Sequence, residues 1–367
     1  MLLTETNIVH YLLDRGLFDK PSFENGHFSC DTGNSRHKNY IVNKEFESNR
    51  YFIKQALGST AEKIHSLERE GLFYELAASN KNFAPLQKYL LASRHYDPGN
   101  AILVLDYLSH HSSIYDKFVQ KQNFNAALVA TELADALFQL HSLPAEAIEK
   151  LSSNGIIAVN KPWILTLPAM QSTAVNTARS ESEAAGLQLI VQMPGFMSLA
   201  EKAATLWEPT CLVHGDSKLN NFLIQVDDPE AGDPLLKLID WELFNLGDPL
   251  WDLATVFQSA LTIWVIHEDP VYKTNTGLKP FNLGNMQHFI SACFTQYAAA
   301  HTWNEVENTI KLEKCTAFCG LRLLHNCFET TPHAKSLRPY SARLLQLAFN
   351  ILSNPAEAAK QLLGINL

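Results

Sequence analysis

His214-Gly215-Asp216-Ser217-Lys218-Leu219-Asn220-Asn221, followed by Ile239-Asp240-Trp241-Glu242, is the stretch that decides the fold. It gathers the carboxylates of Asp216 and Asp240 and the carboxamide of Asn221 on segments bounded by apolar runs. Thr210-Cys211-Leu212-Val213 leads into His214 and Phe222-Leu223-Ile224 follows Asn221, which sets the polar residues in a loop between two short strands. A second apolar run, Leu235-Leu236-Lys237-Leu238-Ile239, ends at Asp240, and residues 227–234 before it have turn composition. The pattern predicts a hairpin that delivers Asp240 beside Asp216.

Phosphoryl transfer needs little covalent help from a protein; it needs positioning and neutralisation of phosphate charge by metal ions. The residue types match that need. Asp216 can take the proton of an acceptor hydroxyl, and Asn221 and Asp240 can supply oxygen ligands to magnesium. Taken singly, each is also an ordinary turn residue, with Gly215 a common turn partner. Their joint spacing is what favours a site.

The segment His214 to Asn221, then Ile239 to Glu242, then Gly247-Asp248-Pro249-Leu250-Trp251-Asp252-Leu253-Ala254, resembles the catalytic core of the aminoglycoside phosphotransferase and choline kinase superfamily. That resemblance implies an α+β, bilobal protein-kinase-like fold, with a small β-rich N-terminal lobe and a large, mainly helical C-terminal lobe. It implies Asp216 as catalytic base, Asn221 and Asp240 as magnesium ligands, and Asp252 as a buried support for the loop, with His214 also structural. Many members carry His at the position of Lys218 and Gly at that of Asn220; Lys218 is placed to touch the transferred phosphate.

The resemblance further implies an upstream half that holds ATP. Tyr40-Ile41-Val42 and Arg50-Tyr51-Phe52-Ile53-Lys54-Gln55 read as two strands of a hairpin around the polar residues 43–49. Lys54 then pairs with the α- and β-phosphates if a glutamate of the next helix holds it. That helix is expected over 60–78 from the spacing of Leu67, Glu70, Gly71, Tyr74 and Ala77 or Ala78, with Ser59 or Thr60 at its start. Glu70 is the chosen partner and Glu68 the alternative; helical phase does not decide between them. Ala101 to Leu108 resembles the last small-lobe strand and the hinge, where the main chain of Asp106, Tyr107 and Leu108 would meet adenine. Leu133 to His141 resembles the family's helix ending in histidine, and His141 reads as a packed core residue.

Ser29 to Asn39 would supply the phosphate loop, with Ser35, Arg36 and Lys38 as donors, although it holds a single glycine. Relatives of this type also lack the repeated glycines of protein kinases. The chain has neither a GxxxxGK[ST] loop nor a GxGxxG opening a helix, which removes the P-loop and Rossmann readings.

At 367 residues and 46% hydrophobic, the chain can bury about two cores. The lobes are placed at 1–108, nucleotide-binding, and 109–367, catalytic and acceptor-binding. A net charge of −9 disfavours a nucleic-acid partner and suits a cationic acceptor, aminoglycoside-, choline- or amino-alcohol-like. Residues 1–18 lack the pattern of a signal peptide, and no 18-residue uncharged apolar run appears, so neither export nor a membrane span is expected and the protein reads as cytoplasmic. Six scattered cysteines without CxxC pairs suggest buried thiols, with no disulfide and no structural zinc at Cys315, Cys319 and Cys327. Trp264, Trp303, Phe328 and Tyr340 are candidates for an aromatic wall around a ligand cation. Residues 151–200, interrupted by Pro162, Pro168 and Pro194, read as variable material where specificity resides. The expectation is an ATP- and Mg2+-dependent kinase of a small hydroxylated acceptor. A kinase acting on a peptide or protein, or a nucleotide-binding pseudokinase-like module, is the alternative.

Overall fold

Arg50–Gln55 shows how the first sheet is built. Side chains alternate faces along a strand, so Tyr51 and Ile53 point to one side and Lys54 to the other. The computed structural model describes residues 1–24, 28–34, 38–44, 50–120, 125–144, 146–147, 157, 159–170, 178, 180–225, 236–269, 281–329 and 339–366. Its chain divides into two compact units. The first comprises Met1–His111, Pro144–Ile156 and Gln225–Phe244, and the second Ser112–Leu143, Ile157–Ile224 and Asn245–Leu367.

In the first unit, β1 (Phe28–Asn34), β2 (Lys38–Lys44), β3 (Arg50–Gln55), β4 (Ser93–Asp97) and β5 (Ile102–Asp106) form a sheet in the order β1-β2-β3-β5-β4. All pairs are antiparallel, and Lys54 lies opposite Asn39 on β2 and Leu103 on β5. One face packs under the short helix Ile8–Asp14. Ile8, Tyr11, Leu12 and Phe18 join Tyr40, Val42, Tyr51, Ile53, Ile102 and Val104 in one apolar core. The N-terminal arm is also tied down by polar contacts: Gln55 accepts from the Leu3 N–H at 2.8 Å and donates to the Met1 carbonyl at 2.9 Å.

The helix Ala61–Ser79 supplies a second element of this unit, with Leu67, Glu70, Gly71, Phe73, Tyr74, Leu76 and Ala77 buried. Thr60 occupies its N-cap position without a side-chain capping bond. Burial on both faces explains why β5 reads as an uninterrupted apolar run rather than an alternating one: Ile102 to Leu105 are all buried.

The second unit is helical. Ala126–His141 packs on Leu283–Ala300, and Glu305–Glu329 packs on both Pro249–His267 and Pro339–Ser353. Asp248 caps Pro249–His267, accepting from the Leu250 N–H at 3.1 Å with proline at the first helical position. Pro249–His267 is long and apolar enough to cross a membrane by length and composition, but 83% of that stretch is buried within the protein. Two short strands, Cys211–Val213 and Asn245–Gly247, pair antiparallel and flank the loop that carries His214 and Asp216.

Candidate active site

Lys54 leaves the face of β3 opposite the Ile8–Asp14 helix and meets Glu70. Its Nζ lies 2.9 and 2.7 Å from the two carboxylate oxygens. Glu68, the alternative partner, is on the exposed side of the same helix and pairs with His65 at 3.3 Å. Lys54 Nζ also contacts Asp240 Oδ1 at 2.7 Å. Glu70 is fully buried and Lys54 is 7% exposed, so one buried cation serves two carboxylates. Burial opposes the charge on Lys54, but Glu70 and Asp240 outweigh it and hold the ammonium above its ordinary pKa. Burial raises the Glu70 carboxyl; Lys54 opposes this, while the Asp240 and Glu242 charges add to it.

Asp240 reaches Lys54 because the segment after Leu236–Leu238 is anchored in the first unit. Leu238 N–H donates to the Tyr89 carbonyl at 2.8 Å, and Lys237 Nζ donates to the carbonyls of Lys88 and Leu90. Trp241 stacks on Phe73 at 4.0 Å with planes 14° apart. Glu242 accepts a short hydrogen bond from Ser66. Asp240 itself has φ 69° and ψ 57°, a left-handed conformation that costs a non-glycine residue free energy and recurs at functional sites.

In the second unit, Asn221 Nδ2 donates to the Asp216 carbonyl at 2.7 Å and to Asp216 Oδ2 at 3.2 Å. The carboxamide nitrogen therefore faces Asp216, and Oδ1 is the end suited to a metal. Lys218 Nζ lies 2.6 Å from Asp216 Oδ2, and Arg322 sits 4.0 Å from Oδ1.

The loop hangs on Asp252, a fully buried carboxylate. Asp252 accepts from the N–H groups of His214 at 2.6 Å and Gly215 at 3.0 Å, and from Ser217 Oγ at 3.1 Å. His141 Nε2 approaches it at 3.2 Å, and His141 Nδ1 meets Tyr297 Oη at 2.7 Å. Burial alone would raise the Asp252 carboxyl; the hydrogen bond and charge of His141, with the His214 contacts, overcome this and hold it below the usual value. Gly215 has φ 80°, which a residue with a Cβ rarely adopts. His214 is fully buried, and its Nδ1 accepts from the Asp216 N–H at 3.3 Å.

The hinge candidates sit at the end of β5. Asp106 N–H donates to the Ala92 carbonyl and Tyr107 N–H to the Arg50 carbonyl, at 2.9 and 2.8 Å, while the Leu108 carbonyl accepts from His111. A base recognised here uses other main-chain groups. The Asp106 side chain is engaged by Arg94 in a two-point contact at 2.6 and 2.7 Å. Of the phosphate-loop candidates, Lys38 is an exposed residue of β2, and Ser35 and Arg36 lie outside the described residues.

Two of the four candidates for the aromatic wall have different ring partners: Trp303 stacks on His301 and packs against Tyr297, whereas Phe328 packs against Trp163. The sequence reading placed Arg322 and His325 in the helical run 311–328 from which the acceptor site would be built, without an individual role, and did not single out Trp163.

Among the described residues, no group of three or more His, Cys, Asp or Glu side chains is suited to holding a metal ion. The six cysteines are free thiols, and burial raises Cys315 and Cys319 far above the ordinary thiol value. Asn221 in the second unit offers a carboxamide oxygen and Asp240 in the first a carboxylate oxygen. Each is a hard donor of the kind that suits an ion such as Mg2+, which takes few protein ligands.

Residues 32–278 match the family described as the phosphotransferase enzyme family, APH. No curated protein matches the sequence. Among solved structures, the Plasmodium vivax ethanolamine kinase is 15% identical, with a TM-score of 0.58 over 95% of this chain and 89% of that one. The streptomycin-ATP-APH(2")-IIa ternary complex is 14% identical, with a TM-score of 0.51 over 95% and 97%. The choline kinase LicA from Streptococcus pneumoniae is 13% identical, with a TM-score of 0.50 over 93% and 99%. These likenesses show the protein-kinase-like fold. With its family profile spanning most of the chain, the protein belongs to the phosphotransferase enzyme family and is a small-molecule phosphotransferase with an alcohol group as acceptor.

Proposed function

We propose that the chain moves the γ-phosphate of ATP, with Mg2+, to a hydroxyl of a small molecule. The observation that carries this reading is the Asp216 loop: a nearly buried carboxylate held by Asn221 Nδ2 and Lys218 Nζ, on a backbone fixed by Asp252. Asp216 accepts the hydroxyl proton as the acceptor oxygen bonds to the γ-phosphorus and the bond from phosphorus to the ADP oxygen breaks. Lys218, against the same carboxylate oxygen, is placed to meet charge on the transferred group. Lys54, oriented by Glu70, holds the nucleotide phosphates, and the main chain of Asp106 to Leu108 holds adenine. Asp240 and Asn221 are the metal ligands. Magnesium, when bound, neutralises phosphate charge.

Residues 1–108 then serve the nucleotide and 109–367 the chemistry and the acceptor, in a cytoplasmic enzyme. The related structures are named for ethanolamine and choline, and one holds streptomycin with ATP. Those acceptors set the first panel. An ADP-release assay across hydroxylated amines, amino acids, sugars and aminoglycosides tests the reading, with Asp216→Asn as the blank. The expected result is a hit in wild type that falls by about 10^3-fold or more in the variant while nucleotide affinity is kept. Undiminished turnover in Asp216→Asn removes the base assignment.

A further inference from the structure

We infer that Lys237 is a positioning residue for Asp240. Its ammonium clips the strand that delivers Asp240 onto residues 88–94, which also hold the hinge, and so sets the metal end of the nucleotide site against the base end. The inference rests on the reading of Asp240 as a metal ligand and of Asp106 to Leu108 as the base site. All the residues it uses belong to the first unit.

Leu236 and Leu238 are buried, and Lys237 between them is half-buried on the other face of the strand. Its Nζ donates to the carbonyls of Lys88 at 2.8 Å and Leu90 at 3.1 Å. The Leu238 N–H donates to the carbonyl between them, that of Tyr89, at 2.8 Å. Two adjacent residues thus take three successive carbonyls. Drawing an ammonium partly out of water is unfavourable unless it is paired or hydrogen-bonded. Burial lowers the Lys237 pKa, and no carboxylate among the described residues opposes this, whereas Lys54 has Glu70 and Asp240. What Lys237 gains is two carbonyls in fixed places, so its contribution is one of placement.

The same stretch reaches the other end of the site. The Ala92 carbonyl accepts from the Asp106 N–H at 2.9 Å, and Arg94 on β4 holds the Asp106 carboxylate by two bonds at 2.6 and 2.7 Å. Residues 88–94 therefore touch the strand of Asp240 on one side and the end of β5 on the other. Asp240 stands three residues past Lys237, at most about 10 Å of chain. Its left-handed backbone persists only where the surroundings over-determine it. Trp241, stacked on Phe73, holds it from one side, and Lys237 with Leu238 from the other. Loosening the clip displaces Asp240 relative to the hinge. A nucleotide held through magnesium at Asp240 feels that displacement, and a nucleotide without magnesium does not.

The test is a set of calorimetric titrations of the full-length protein with ATP in EDTA and with MgATP, for wild type, Lys237→Met, Lys237→Arg and Asp240→Ala. Lys237→Met, which keeps the length of the side chain and removes its donors, is expected to weaken MgATP binding by roughly 3- to 10-fold. ATP in EDTA should stay within about twofold of wild type, so that the gain from magnesium shrinks. Lys237→Arg keeps the donors and recovers part of the loss; Lys237→Gln serves if Lys237→Met fails to fold. A lower Tm with the magnesium gain intact would mark Lys237 as merely structural and overturn the inference. Equal weakening with and without magnesium overturns it too. If Asp240→Ala keeps the full magnesium gain, the metal-ligand reading fails and the inference with it. If Asp240→Ala loses that gain while Lys237→Met keeps it, the inference fails alone.

Discussion

Glu70 and Glu68 sit two residues apart on one helix and differ in everything that matters to Lys54. Glu70 is fully buried against the ammonium, whereas Glu68 is exposed and pairs with a surface histidine. Removing the charge at Glu70 leaves Lys54 with Asp240 alone and keeps the shape. Glu70→Gln is therefore expected to lower stability by roughly 1–3 kcal/mol and to raise the KM for nucleotide. Glu68→Gln is expected to stay within about 0.5 kcal/mol of wild type, as surface changes do. Urea melts and nucleotide titrations of the two variants check this, and equal effects remove Glu70 as the partner. Both glutamates were legible as candidates from the sequence, but the choice needed the rotation of the helix about its axis. The Lys54 contact of Asp240 was not legible. It depends on a left-handed backbone and on Trp241 stacking against Phe73, and neither leaves a periodic trace.

Elements place these residues, and their contacts can be disturbed without touching the site. Gly71 follows Glu70 on Ala61–Ser79, and a Cβ there would lie 2.7 Å from Cγ of the Tyr96 ring on β4. Gly71→Ala forces helix and strand apart and is expected to cost roughly 1–3 kcal/mol, although alanine is the better helix former. It should also weaken nucleotide binding, because Glu70 moves with the helix; a melt together with a nucleotide titration reads both effects. In the second unit, His301 stacks on Trp303 at 4.9 Å with planes 10° apart. Burial first, then the charges of His141 and Lys311, lowers its pKa from 6.5 to about 4. The unfolded chain thus binds the proton before the folded one does as pH falls. Stability from this group is complete above pH 6.5 and is lost progressively toward pH 4, by at most about 1.4 kcal/mol per unit. The expected observation is a steeper fall of Tm between those limits in wild type than in His301→Phe. Strands and helices were largely legible: Arg50–Gln55 falls in a β-rich run, Ile102–Asp106 in an apolar run that resembles the last small-lobe strand, and Ala61–Ser79 where 3.6-residue spacing puts it. Strand β1 was missed because Phe28–Asn34 is mostly polar and its described residues are half-buried or exposed, so it is held by backbone pairing with β2 and not by an apolar pattern.

At the scale of the whole chain, what sequence order hides is that a compact unit need not be one stretch. Gln225–Phe244 belongs with Met1–His111, so Asp240, at the end of the apolar run 235–239, contacts Lys54, 186 positions earlier in the chain. Lys54 there contacts two carboxylates, the buried Glu70 and the partly exposed Asp240. If Asp240 is a metal ligand, as proposed above, the folded protein should gain more from magnesium with nucleotide than from nucleotide alone. At about 100 times its dissociation constant, a ligand specific to the folded state adds roughly 2.7 kcal/mol to stability. Scanning calorimetry should therefore show a rise in Tm with MgATP that shrinks on chelation with EDTA, and Asp240→Ala should lose the magnesium-dependent part while keeping a response to ATP. An identical response to ATP with and without the metal would show that Asp240 holds Lys54 and no ion.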